Sequence, residues 1–125
     1  MTTAVIDEKE PFTYTTTLKD AAGVVIPSAN LATLTLTLYA IADGTILNSR
    51  DAQNIKDVNN GTFHATSGLL TWQAQSADNA LVGTIPVGHY EQHQALFQWT
   101  TTAGGASNVS KHLLDIFVKS LSKVS

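Results

Sequence analysis

Apolar and polar residues alternate with period two along most of the chain, the spacing of a half-buried strand. In "PFTYTTTL", Phe12, Tyr14 and Leu18 share one face and Thr13, Thr15 and Thr17 the other. "LATLTLTLYA" places Leu34, Leu36 and Leu38 inward, with Thr33, Thr35, Thr37 and Tyr39 outward. "LLTWQAQ" lines one face with Leu70, Trp72 and Ala74. The segment "HYEQHQALFQWTT" and the arm "NVSKHLLDIFVKSL" predict a long closing hairpin. In that second arm Leu114, Ile116 and Val118 alternate with Leu113, Asp115 and Phe117, so both faces are expected to be covered.

Turn residues fall between these runs. Asp20 to Gly23, Asp43-Gly44, Asn60-Gly61, Ser67-Gly68 and the stretch "TAGGAS" supply Gly, Asn or Asp where the chain must reverse. "TILNSR" is expected to pair back as a short strand, and Asp51 to Gly61 reads as a loop or a brief helical turn. Pro27 and Pro86 cannot donate to a ladder, which assigns their segments to edges or connections. Leu81, Val82, Ile85 and Val87 follow no clear period. Seven or eight short antiparallel strands without a helical period predict an all-β, immunoglobulin-like sandwich without a disulfide, with Trp72 or Trp99 as a large core residue. The predicted organisation is a flexible N-terminal arm over 1–10, one sandwich over 11–120 and a tail over 121–125.

Composition narrows the function classes. The chain has 125 residues, enough for one core, and no cysteine, so thiolate metal sites and cysteine nucleophiles are excluded. Lys and Arg total 7 against 10 Asp and Glu, giving a formal charge of −3, which offers no basic stripe for nucleic acid. No long apolar run or basic-then-apolar leader appears, which implies a soluble chain made in the cytoplasm with no membrane partner. Charged residues make up only 14% of the chain, a low share for an isolated soluble domain, so part of the surface is expected to be covered by partners.

Candidate chemistry concentrates in "GHYEQHQALFQW". His89, Glu91 and His93 are two apart, a spacing that sets three potential metal ligands on one strand face. Against this, Tyr90 is even-numbered while Phe97 and Trp99 are odd. A β-bulge between Gln92 and Ala95 reconciles the parities, with Tyr90, Phe97 and Trp99 inward and His89 and Glu91 outward. His89, Glu91 and His93 then become solvent or subunit-interface residues, and Tyr39 joins them as an exposed aromatic anchor. The sequence carries no G-x-S-x-G elbow, no calcium loop and no phosphate loop, and no catalytic or cofactor-binding residue is assigned.

The runs "FTYTTTLKDAAGVVIPSANLATLTLTLYAIADGTILNSR", "GTFHATSGLLTWQ" and "YEQHQALFQWTTTAGG" resemble the small immunoglobulin-like domains of tailed-phage virion proteins. The similarity spans roughly residues 12 to 119. It rests on a first strand, a D-x-x-G-x-x-I turn, an alternating strand, a G-x-L-T-W strand and a Tyr-bearing strand entering a Gly-rich hairpin. The resemblance implies a virion protein that docks on other virion proteins or on further copies of itself, without catalytic residues or cofactors. It points to a head or neck accessory or decoration subunit ahead of a baseplate adaptor, because the chain ends at Ser125 without a further partner-binding region. A glycan- or receptor-binding module is the other reading, for which aromatic residues exposed at loop tips are the discriminating feature.

Overall fold

The computed structural model describes residues 2–19, 23–83, 85–101 and 109–121. Its strands are β1 (Thr2–Asp7), β2 (Phe12–Thr17), β3 (Leu31–Ala40), β4 (Gln53–Asn54), β5 (Gly61–Phe63), β6 (Leu69–Ala74), β7 (Tyr90–Thr101) and β8 (Val109–Lys119). They form a five-stranded sheet ordered β1-β8-β7-β3-β4 and a three-stranded sheet ordered β2-β6-β5. The chain crosses between sheets from β1 to β2, from β2 to β3, from β4 to β5 and from β6 to β7. This is an immunoglobulin-like sandwich.

The alternating runs become strands because each has one face to bury. Leu34, Leu36 and Leu38 of β3, Leu70, Trp72 and Ala74 of β6, and Leu114, Ile116 and Val118 of β8 all enter one core. Both tryptophans lie there, and the core is pinned across the sheets by aromatic rings rather than by a disulfide. Tyr14 of β2 stacks on Phe97 of β7 with ring centroids 5.8 Å apart, and Trp72 meets Phe97 edge-on at 5.8 Å. Such pairs add about 0.5–1.5 kcal/mol beyond area burial.

Gly61 opens β5 where a Cβ would run into the backbone carbonyl of Ile55, so no larger residue fits without backbone movement. Gly68 adopts φ +73° in the β5–β6 turn, close to the Leu18 carbonyl, which combines a left-handed turn with close approach.

Several expectations are corrected. The strands are not all antiparallel: Thr2–Asp7, expected as part of a flexible arm, is a strand running parallel to β8, with Ala4 beside Ile116 and Ile6 beside Val118. Ile6 is buried there, so the segment has an apolar reason to dock. "TILNSR" contributes only an isolated bridge between Ile46 and Tyr39, and Gln53–Asn54, expected as loop or helical turn, pairs with β3 instead. The outward residues of β8, Leu113 and Phe117, are half-buried rather than covered. In the β6–β7 connection Leu81 packs on the core, while Val82 and Val87 are exposed. The turns expected at Asp20 to Gly23 and at "TAGGAS" lie largely outside the described residues, as does most of the 121–125 tail.

Candidate functional site

β7 runs without a bulge. Its register to β8 is unbroken from Tyr90 to Thr100, and its register to β3 from His93 to Thr100. Parity therefore never switches, and Glu91, His93, Ala95, Phe97 and Trp99 all point into the sandwich. The expected bulge between Gln92 and Ala95 and the outward placement of Glu91 and His93 are both overturned. Tyr90, expected inside, is 49% exposed, and His89 is exposed ahead of the strand.

The geometry explains how two ionisable side chains occupy apolar positions. His93 is fully buried, and its Nε2 lies 2.5 Å from Oε1 of Glu91. The same carboxylate accepts the backbone N–H of Val82 at 2.8 Å and of Gly83 at 2.9 Å. Burial alone would raise the Glu91 pKa, but the Val82 N–H, the His93 ring and the Gly83 N–H outweigh it and hold the carboxyl below its ordinary value. Glu91 thus fastens the β6–β7 connection to β7. Beside it, Ala40, Ile41, Val82, Ile85 and Tyr90 border a half-open, largely apolar hollow of about 430 Å³.

The structure brings Glu91 and His93 together but leaves His89 out, and among the described residues no three His, Asp or Glu side chains converge on one point. Tyr39, the other interface candidate, is half-buried on the outer face of the large sheet, its hydroxyl bonded to the Gln94 side chain.

A second buried ionic centre has no counterpart among the sequence-based candidates. Arg50 lies 2.5 Å from Oδ1 and 3.0 Å from Oδ2 of Asp78, and both residues are buried. The guanidinium also donates to Gln53, to the Asn59 carbonyl and to Asn60, and it sits 5.8 Å from the Trp72 ring centre. Asp78 further accepts the Asn48 side chain and the Gln75 N–H. Arg50 and Asp78 lie 28 residues apart in segments that carry no periodic pattern, so local spacing gives no signal for the pair.

The third polar feature is His112 on the inner face of β8, whose ring bonds the Tyr14 hydroxyl and stacks on the Tyr14 ring. Burial pushes its pKa below the ordinary 6.5. Because its folded pKa is the lower one, the unfolded chain takes up the proton first as pH falls below about 6.5, and stability declines through the folded value. For Glu91 the folded pKa also lies below the ordinary 4.5, so its contribution is present above that value and is lost as pH falls through the folded one. Melting temperature followed by circular dichroism should therefore drop on acidification in these two windows. His112→Gln should flatten the upper drop and Glu91→Gln the lower, whereas variants with the wild-type pH profile would remove both assignments.

A scan of protein-family models and a search of curated proteins find no match to the chain.

Proposed function

We propose that this chain is a non-enzymatic structural protein of a tailed-bacteriophage particle, a head or neck accessory or decoration subunit that acts by protein–protein docking. The observation that carries the docking part is the outer face of the five-stranded sheet. Thr35, Thr37 and Tyr39 of β3, Gln92, Gln94, Leu96 and Gln98 of β7, and Leu113 and Phe117 of β8 lie there, half-buried, and the charged residues Lys111, Asp115 and Lys119 share the face along β8. Val5 of β1, beside Phe117 in register, is 63% exposed.

This face is also held in place before any partner arrives. Tyr39 bonds Gln94, and Gln94 in turn donates to Asp115 at 3.0 Å, a chain of contacts across three strands. Side chains ordered in advance lower the entropic cost of association, which is about 0.5–1.5 kcal/mol for each long side chain immobilised. The virion assignment rests on the sequence resemblance. Trp72 and Trp99 are buried in the core and offer no ring to a sugar, so the glycan-binding alternative would rest on Tyr90, the aromatic exposed beside the β6–β7 connection.

Particles assembled without the chain, mixed with the purified protein and centrifuged, test the proposal. The wild type should sediment with them, and Phe117→Glu should stay in solution with an unchanged melting temperature. A wild-type chain that remains monomeric and in the supernatant would end this reading.

A further inference from the structure

The smaller sheet stops one strand short of the sheet it covers. Tyr14 of β2 packs on Phe97 of β7 and His112 of β8, so β2 lies over those two strands. β1, beyond β8 at the rim of the larger sheet, has no strand of the smaller sheet over it. The core is open at one end of this flank, where Ala4 of β1 and Phe12 and Tyr14 of β2 pack against it while only partly buried, whereas Ile6, next to the passage of the chain from β1 to β2, is buried.

Among the described residues β2 is bonded on one side, to β6. The Leu18 N–H donates to the Gly68 carbonyl at 2.8 Å, continuing the register that sets Phe12 beside Ala74. Hydrogen-bonded positions alternate along an antiparallel pair, so Phe12, Tyr14 and Thr16 turn their backbone groups to β6. Thr13, Thr15 and Thr17 turn theirs to the free edge. Edges that must stay solitary are usually blunted by lysine, proline, a bulge or shortness. Phe12–Thr17 has six residues, no charge, no proline and an unbroken register.

We infer that this edge accepts an extended segment of a partner protein, uncharged and apolar at alternate positions, as a fourth strand of the smaller sheet. A row of free N–H and C=O groups is matched by another extended backbone, and alternate side chains of that strand would cover Ala4, Phe12 and Tyr14. The larger sheet extends past β2 by the strand β1, whose Ala4 end is the part left half-covered. This overhang excludes edge-to-edge pairing with a second copy, because the overhanging β1 strands of the two copies would occupy the same space. The edge is a second contact surface, on the other sheet from the outer face that carries the docking proposed above.

A random-peptide display library selected on the immobilised full chain, followed by synthesis of the enriched peptides, tests it. Thr15→Pro removes one outward N–H and leaves the bonds to β6 whole, and Thr15→Val keeps that N–H. Enriched peptides should alternate apolar and polar residues and bind wild type and Thr15→Val alike. They should bind Thr15→Pro roughly tenfold or more weakly, as expected for a lost backbone bond at a filled edge. They should also slow amide exchange at Thr13, Thr15 and Thr17. Should Thr15→Pro melt early, Thr13→Pro, which removes another outward N–H, replaces it with the same expected loss.

Absence of enrichment, equal binding to the proline variant, or unprotected threonine amides overturns the inference. The peptide experiment decides the edge and particle sedimentation decides the outer face, so a wild type that fails to sediment sinks the docking reading and leaves the edge to its own test.

Discussion

Replacing Asp78 by alanine should cost about 3–5 kcal/mol of folding stability, because it strands the Arg50 guanidinium inside the protein without its anionic partner. Arg50 is 2% exposed and Asp78 is fully buried, so water cannot take over the lost contacts. Asp78→Ala also releases the Asn48 side chain and the Gln75 N–H, which both bond its carboxylate. Arg50→Met should fall in the same range for the converse reason, leaving a buried carboxylate. The double variant Arg50→Met, Asp78→Ala should lose clearly less than the sum, since no uncompensated charge remains. Urea unfolding of the four proteins measures the cycle. A single variant that loses less than about 1 kcal/mol would show that the pair behaves as an exposed one.

The Arg50 network also indicates where sequence reading stops. Strands with one long, regular apolar face announce themselves: Leu34, Leu36 and Leu38, or Leu70, Trp72 and Ala74, need only the period of a pleated chain to be assigned inward. Contacts that depend on which distant segments meet leave no such trace. β1 shows this well, because "TTAVID" offers only Ala4 and Ile6 as an inward pair, and its partner strand begins more than a hundred residues later. β4 is two polar residues long, too short for any pattern to emerge.

β7 shows a different failure. Counting back in twos from Trp99 and Phe97 reaches Ala95, His93 and Glu91, all buried. Treating polar residues as outward ones required a bulge that the strand does not contain. The missing information was the company these side chains keep: a carboxylate can occupy an inward position once two backbone N–H groups and an imidazole satisfy it. Nothing in the local spacing of residues 89 to 93 reveals that Val82 and Gly83 turn their N–H groups toward Glu91.

Trp72→Ala should destabilise the protein by about 3–5 kcal/mol, the range for deleting a fully buried aromatic ring. Trp72 is fully buried, stands edge-on to both Phe97 and Phe12, and forms the surface beneath the Arg50 guanidinium. The cavity would therefore open at the junction of the hydrophobic core and the ionic network. Its indole N–H has no hydrogen-bond partner among the described residues, so Trp72→Phe sacrifices volume but no such bond. That variant should lose about 1–2 kcal/mol, from unfilled space alone. Chemical unfolding measures both losses. Because Trp72 touches Arg50, Trp72→Ala combined with Asp78→Ala should depart from additivity by about 0.5 kcal/mol or more. Strict additivity would mean that the aromatic core and the buried ion pair are independent, and that the 5.8 Å approach of guanidinium to indole has no energetic consequence.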